Sequence, residues 1–392
     1  MKKTAVTLQF IALLVLHCLP GLAGTEYVLA NNNNYIANTA ILYKLDTTTG
    51  VLTKAGVLHT GGEGLQSENV YYYQIEQAVT QDAGCIFVFD TGSSDIAAFS
   101  EGTGYHHRVG KYFNSNLIAI LDGGSLALTP NGRFLYASYS ESENLGAWKV
   151  NSDCTLTFLV AYGLSGIGQI RVAPNGKYLL ATGLGGVAEF AVDKLTGGLT
   201  DLGTLVFRVG ACSREGVCVP YGFDITKDSK YAVFASSALN ITHQYALPVA
   251  LTARITSKGL ANPRAWKLKD SNLSDNYFPL FSAAAYAGSG DVYFATQGQT
   301  GIGDHDPGVL TASFIENPLS IKLKNATALE NAPQQLDGNI AVTGDLMVIA
   351  QYPNQISVFR IQRSGSLKLL STTTIDEQGE GLFSLSIFPN TR

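Results

Sequence analysis

Three neighbouring residues in this 392-residue chain have the composition of a metal site. The segment GIGDHDPG, residues 301–308, places Asp304, His305 and Asp306 side by side. Carboxylate oxygens together with an imidazole nitrogen can hold a divalent cation, so these three are the candidate metal ligands. The same letters are also typical of a solvated polar loop before a proline, an interpretation that needs no metal.

A second group of candidates consists of charges that stand a few residues before recurring polar turns. Arg171 and Asp224 occupy matching positions in two successive repeats. A fixed positive charge can stabilise an oxyanion and a carboxylate can activate water, so Arg171, Asp224 and Glu76 are the candidate catalytic residues. Because an unpaired buried charge is costly, an ion pair between Arg171 and Asp224 that binds no ligand is the alternative.

Aromatic and polar side chains crowd several other segments, such as VYYYQIE and VCVPYGFD. Such residues can form a funnel for a sugar-like or aromatic small molecule, or they can pack between neighbouring repeats. The candidate ligand-binding residues are Tyr71, Tyr73, Tyr221, Tyr277, Gln335, Asp337 and Glu380.

Established catalytic motifs are missing from the sequence. There is no Gly-x-Ser-x-Gly elbow, no His-Glu-x-x-His and no phosphate-binding loop. The adjacent His106 and His107 would point to opposite faces of a strand and are poor joint ligands. We therefore expect no cofactor.

The elements that would position these residues are repeated strand–turn–strand units. TPNGRFLYAS, residues 129–138, returns as APNGKYLLAT, residues 173–182, and weaker copies occur along the chain. A second polar turn, as in DTTTGVLT, follows about twenty residues after most of the first turns. Gly, Asn and Asp supply the conformations of both turns, so each unit contains four antiparallel strands.

Units of this kind are typical of β-propeller blades, and counting them gives seven. The segment after residue 24 supplies three strands, and GLFSLSIFPN near the C-terminus supplies the fourth. We therefore predict an all-β, seven-bladed propeller over residues 25–392, closed by pairing of Leu382–Phe388 with a strand at Tyr27–Asn31. Closure removes exposed sheet edges.

The repeated PNG(R/K)(F/Y)LY turns, the DxxTGxLT blade ends and a last strand ending in FPN resemble the lactonase-type seven-bladed propellers. That family includes 6-phosphogluconolactonase-like and carboxymuconate-cyclase-like proteins. The resemblance covers nearly all of the chain after residue 24. It implies the propeller fold, and it implies a hydrolase or cyclase that acts on a lactone or carboxylated small molecule.

The chain departs from that family where the chemistry is expected. Active members lead into an inner strand with Gly-Pro-Arg-His, whereas this chain reads Asp-Gly-Gly-Ser, with Gly124 at the Arg position and Ser125 at the His position. Arg171 stands where blade four would have a His, and an arginine is a poor base. We therefore expect little or no 6-phosphogluconolactonase activity. Acidic residues near other inner strands that could still supply a base are Glu68, Glu76, Asp337 and Glu380.

The first 24 residues are typical of an export signal. Lys2 and Lys3 precede a short apolar run, and small residues follow at positions 21–24. The run is too short to span a membrane. We expect a secreted or periplasmic protein with a signal peptide at residues 1–24.

Four cysteines follow the signal, and an even number in an exported chain fits two disulfides. Cys212 and Cys218 bracket a short loop and are expected to pair. A bond between Cys85 and Cys154 is less expected, because one falls in an inner turn and the other in an outer turn of neighbouring blades.

Charge narrows the range of partners. The chain after the signal has 24 basic and 31 acidic residues, and it has no basic cluster, which argues against nucleic acid and anionic membranes. We expect a monomer that binds a small molecule or an extracellular protein at the channel end that carries Tyr221 and Tyr277. A lactone hydrolase or cyclase is the alternative, and the sequence leaves open whether the protein is an enzyme.

Overall fold

A computed structural model describes residues 25–64, 78–80, 84–102, 106–119, 124–164, 167–183, 186–209, 212, 218–239, 246–268, 280–286, 290–296, 308–328, 339–351, 354–375 and 384–389. These residues form seven antiparallel sheets of four strands each. The predicted seven-bladed β-propeller is therefore confirmed.

The strands of the first four blades are given from the inner to the outer strand. Blade one contains β28 (Ser384–Pro389), β1 (Thr25–Asn31), β2 (Thr39–Asp46) and β3 (Leu52–His59). Blade two contains β4 (Ala78–Thr80), β5 (Cys85–Asp90), β6 (Asp95–Glu101) and β7 (His106–Phe113). Blade three contains β8 (Leu126–Leu128), β9 (Phe134–Tyr139), β10 (Asn144–Val150) and β11 (Leu156–Gly163). Blade four contains β12 (Ile167–Val172), β13 (Tyr178–Gly183), β14 (Gly186–Val192) and β15 (Leu199–Leu205).

The remaining three blades follow the same order. Blade five contains β16 (Cys218–Ile225), β17 (Tyr231–Leu239), β18 (Ala246–Arg254) and β19 (Ala261–Lys267). Blade six contains β20 (Leu280–Tyr286), β21 (Asp291–Thr296), β22 (Gly308–Glu316) and β23 (Leu319–Ala328). Blade seven contains β24 (Ile340–Thr343), β25 (Leu346–Gln351), β26 (Gln355–Ile361) and β27 (Leu367–Thr374).

The two ends of the chain meet in blade one. Strand β28 pairs with β1 so that Tyr27 lies opposite Phe388, and their rings stack with centroids 5.7 Å apart. Each inner strand also contacts the inner strand of the next blade, from β4 around to β28 and back to β4. The predicted pairing of the terminal strands is present.

The recurring PNG phrase builds the turn between the first and second strands of a blade. In blade three the Thr129 hydroxyl donates to the Asn131 side chain at 2.8 Å, and Gly132 adopts a φ of 68°. In blade five Thr226 and Asp228 make the same contact at 2.8 Å, and Ser229 adopts a φ of 59°. Different residues thus build the same turn, because each copy supplies a hydroxyl donor, a side-chain oxygen acceptor and a residue in the left-handed conformation.

The core lies between the blades. The second strands are hydrophobic and buried on both faces, as in CIFVFD of β5 and LMVIAQ of β25, because each blade packs between two others. Each of the seven apolar clusters in the described part of the chain combines residues of two neighbouring blades. The third and fourth strands of every blade also share a break in register of the β-bulge type.

Both pairs of cysteines form disulfides. The Cys212–Cys218 bond is present, with Cα atoms 5.2 Å apart, so that prediction is confirmed. A disulfide between Cys85 and Cys154 was less expected than the first one, and that prediction was wrong. These residues are also bonded, with Cα atoms 5.3 Å apart. The second strand of blade two and the outer hairpin of blade three pack in one apolar cluster, which brings an inner turn and an outer turn together.

Candidate functional site at the central channel

The inner strands enclose a cavity of about 260 Å³ near the end that carries the turns between first and second strands. Most of its lining residues have apolar side chains, but polar atoms supply most of its exposed surface, and hydroxyl groups come from Thr80 and Ser386. The other lining residues are Val79, Leu128, Arg171, Asp224, Ile340, Ala341, Val342, Leu385 and Ile387. Arg171 and Asp224 are the two charged residues of this wall within the described part of the chain.

Arg171 of β12 and Asp224 of β16 form an ion pair between blades four and five. Their side chains are 23% and 18% exposed, so the pair is only partly shielded from the solvent of the channel. The same oxygen of Asp224 accepts the backbone N–H of Ile225 at 2.8 Å. The salt bridge predicted from matching registers is therefore confirmed, while a catalytic role for either residue stays a prediction.

Gln169 adds a second polar link between the same blades, and sequence analysis gave it no role. Its side chain is fully buried, and its Oε1 atom accepts the backbone N–H of Phe223 at 2.6 Å. Two residues later in the same strand, Arg171 pairs with Asp224. The interface between blades four and five is thus joined by polar contacts along the channel.

A second cavity, of about 430 Å³, adjoins the first and shares Leu128 with it. Its polar lining comes from the turns of blade three, where Asn131, Arg133 and Asn151 contribute. The guanidinium of Arg133 lies over the ring of Phe134, 5.5 Å from its centroid.

The position that carries arginine in active lactonase-type members is closed here. A Cβ atom on Gly124 would lie 2.3 Å from a ring carbon of Phe89 and 2.3 Å from the carbonyl oxygen of Ser138. The next residue, Ser125, is fully buried, and its hydroxyl oxygen accepts the backbone N–H of Ile170 at 3.4 Å. Gly124 therefore packs closely against blade two, whereas Ser125 links blade three to blade four.

Most of the other candidates lie outside the described residues. Tyr221, in the middle of β16, is described and is only 6% exposed, so it offers little surface to a ligand. The candidates for which the structure gives no placement are Glu68, Tyr71, Tyr73, Glu76, Tyr277, Asp304, His305, Asp306, Gln335, Asp337 and Glu380. Their roles stay predictions.

Two aspartates form a buried acidic pair that sequence analysis missed. Asp90 and Asp95 face each other across the hairpin of β5 and β6, with exposures of 0% and 1%. Asn38 of blade one donates to Asp90 at 2.8 Å, and Lys111 lies 3.0 Å from Asp95. Burial, with help from the charge of Asp95, raises the pKa of Asp90 well above its ordinary value. The pair is closed to solvent and joins blades one and two.

A third buried acid, Glu189 of β14, is also unexpected. Its side chain is fully buried, and neither carboxyl oxygen has a hydrogen-bond partner within the described part of the structure. Burial raises the pKa of Glu189 from 4.5 to about 7. No pattern in the sequence distinguishes this glutamate, because only the packing of blade five against blade four buries it.

The described residues contain neither a cluster of metal-binding side chains nor a membrane-spanning helix. No group of three or more His, Cys, Asp or Glu side chains there could hold a metal ion. In the same residues, no helix has the length and apolar character of a membrane span.

Known proteins support this architecture at the level of structure. No family model and no curated protein matches the chain. A solved protein from Lactobacillus plantarum matches with a TM-score of 0.68 and 15% identity, over 93% of this chain and 99% of that one. A protein from Bacteroides fragilis, provisionally described as a 6-phosphogluconolactonase, matches with a TM-score of 0.67 and 14% identity, over 93% and 98%. A periplasmic gluconolactonase from Pseudomonas aeruginosa matches with a TM-score of 0.66 and 13% identity, over 93% and 99%. The chain therefore has the fold of the lactonase-type seven-bladed propellers.

Proposed function

We propose that the protein binds a small polar molecule in the channel cavity beside Arg171 and Asp224. The observation that carries this proposal is the composition of the cavity wall, where an ion pair and two hydroxyl groups lie among apolar side chains and polar atoms supply most of the exposed surface. Pockets for small molecules commonly combine apolar walls with a few polar groups that fix orientation. The ligand class is a compact molecule with hydroxyl or carboxylate groups on a carbon skeleton.

Binding fits this site better than catalysis does. Lactone hydrolysis needs a base for the attacking water and a donor for the developing oxyanion. In the described cavity the only carboxylate, Asp224, already accepts hydrogen bonds from Arg171 and from the amide of Ile225. Both bonds involve the same oxygen, so one oxygen of this carboxylate is engaged, and the described part of the wall contains no histidine.

The site of action is outside the cytoplasm in this proposal. Two disulfides support it, because such bonds persist in oxidising compartments. The signal-like segment at residues 1–24 and the likeness to a periplasmic gluconolactonase point the same way. Detection of the mature protein in the periplasm or culture medium tests this part, and retention of a full-length chain in the cytoplasm contradicts it.

The test of binding is isothermal titration calorimetry on the mature, disulfide-bonded protein. The probes are gluconate, 6-phosphogluconate, glucono-1,5-lactone and cis,cis-muconate. We expect at least one of them to bind, and we expect Arg171→Met to weaken that binding at least tenfold. Arg360→Met is the matched control, because Arg360 pairs with Asp345 at 2.7 Å but lies in β26, away from the cavity wall. Absence of binding to every probe, or equal binding by Arg171→Met, contradicts the proposal.

A lactone hydrolase is the second candidate. It is favoured by the solved structures named above, two of which carry lactonase descriptions, and by an arginine that could hold an oxyanion. Rapid hydrolysis of 6-phosphogluconolactone by the mature protein, lost in Arg171→Met and kept in Arg360→Met, would replace the binding proposal with this one.

A further inference from the structure

The outer strand of blade three carries an apolar surface, which we call the rim patch and define as residues 157–161 of β11. All five consecutive residues are exposed. Phe158, Leu159 and Val160 are 38%, 38% and 37% exposed. The ring of Phe158 packs edge-on against Trp148 at 5.0 Å between centroids, so this side chain is already held in place.

The other six outer strands differ from β11 in charge. Each of them contains at least one charged side chain, and β11 contains none. Charges on an edge strand keep it from pairing with another strand. The charged residues are Lys54 in β3, Arg108 and Lys111 in β7, Asp201 in β15, Arg264 and Lys267 in β19, Lys322 and Lys324 in β23, and Lys368 in β27. Blade three is thus the one blade whose edge lacks this protection.

We propose that the rim patch is the contact surface of a weak homodimer. A two-fold axis brings a surface against itself, and two antiparallel copies of β11 related about Leu159 would place Phe158 opposite Val160 of the other copy. This arrangement puts no like charges together, whereas self-pairing of any other outer strand would include at least one charged side chain from each copy. A second copy of the chain is therefore the partner that fits.

Packing of side chains, rather than a continuous ladder, must hold such a dimer. The register of β10 and β11 breaks between Trp148 and Ala147, which leaves Leu159 as the extra residue of a bulge. A bulge interrupts the edge hydrogen bonds that a partner strand would use. Leu159 and its two neighbours are then the contact residues.

The area of the patch sets the strength of association. An apolar side chain of this size presents roughly 150–200 Å² when fully exposed, so the three exposed fractions give about 200 Å². Two copies would therefore bury about 400 Å² of this apolar surface, well below the roughly 1,200 Å² of a stable interface. The dimer should therefore appear only at high concentration, on the order of 0.1 mM. This proposal differs from the monomer expected from the sequence, and it does not depend on the proposed ligand.

Sedimentation velocity between about 5 and 500 µM on the mature protein tests the proposal. We expect a reversible shift toward a dimer in the wild type and at least a tenfold loss of association in Leu159→Lys. Leu369→Lys is the matched control, because Leu369 is 53% exposed on the outer strand β27. Ala161→Lys, at another exposed position of the patch, repeats the test if Leu159→Lys fails to fold. A wild type that stays monomeric throughout, or a dimer that both patch variants leave intact, overturns the proposal. Equal loss in Leu369→Lys does so too.

Discussion

Glu189 should make the protein less stable as the pH rises through neutrality. Its side chain belongs to the face of blade four that packs on blade five, because it lies opposite Leu180, a residue of the apolar cluster between these blades. Protonated Glu189 is neutral and can be buried at modest cost. The ionised form has no hydrogen-bond partner within the described residues and would sit among apolar groups.

The size of the effect follows from the change in pKa. Burial raises the pKa of Glu189 from 4.5 to about 7. A difference of this size corresponds to about 3 kcal/mol at 25 °C. Because the folded-state pKa is the higher one, folding stability from this group is fully present below pH 4.5. It falls as the pH rises toward 7, and above that the penalty is constant.

Glu189→Gln removes the charge and nearly keeps the shape. We expect its free energy of unfolding to match that of the wild type near pH 4.5 and to exceed it by about 3 kcal/mol at pH 8. For a chain of this length that difference raises the Tm by about 4 °C. Urea unfolding followed by tryptophan fluorescence, with disulfides intact, measures it across pH 4.5–9.

Glu141→Gln is the control, because Glu141 is an exposed glutamate in the turn between β9 and β10. The free energy of unfolding of Glu141→Gln should match that of the wild type at every pH. If Glu189→Gln also runs parallel to the wild type from pH 4.5 to 9, the carboxyl group is not buried in its ionised form and the reasoning fails.

Three further changes test other parts of the fold. Replacing Cys85 and Cys154 with alanine should lower the free energy of unfolding, measured in urea, by about 4 kcal/mol, because their disulfide closes a loop across 69 residues. The Cys212–Cys218 disulfide spans only 6 residues and should contribute about 2 kcal/mol. An equal loss for the two disulfides would contradict this. Gly124→Ala should lower the free energy of unfolding by about 1–3 kcal/mol, because its Cβ would overlap Phe89, and an unchanged Tm would show that the site can relax. Asp224→Ala should lower the free energy of unfolding by about 1–3 kcal/mol, less than the loss of a fully buried pair, because the channel solvent reaches both side chains. A loss of about 5 kcal/mol would show that solvent does not reach the pair.

The fold could be predicted because its signals are local and repeated. Thr129 with Asn131 and Thr226 with Asp228 make the same turn contact, so the turns could be recognised from residue chemistry alone. The N-terminal segment supplies three strands of a blade and the C-terminal segment supplies the fourth, so their pairing could be predicted. The Arg171–Asp224 pair was predictable for the same reason, since equal positions in successive blades come to lie side by side.

Contacts that depend on how blades are offset could not be predicted. The Cys85–Cys154 bond joins an inner turn to an outer turn, and counting strands gives no information about that offset. The burial of Asp90 and Glu189 likewise results from neighbouring blades, because each residue sits in a strand whose own sequence looks ordinary. The expected ligand end near Tyr221 lies mostly outside the described residues, while the described cavity lies toward the opposite turns.

Comparison of the same position in different blades shows which side chains the fold does not require. At the bulge position that Glu189 occupies in blade four, blades one, two, three and seven have Leu42, Ala98, Ala147 and Val358. A packed interface is therefore built without a charge at this position, and folding does not require the glutamate.

The Arg171–Asp224 pair and Glu189 both lie at the interface between blades four and five. Arg171, Leu180 and Glu189 lie opposite one another in one row across blade four, so their side chains share the face that meets blade five. Asp224 and the backbone N–H of Phe223 receive the polar contacts from the other side. An ion pair that only held two blades together could have been replaced by apolar residues at little cost in stability. Arg171 and Asp224 line the channel cavity, so their place at this interface supports the proposal that a ligand enters there.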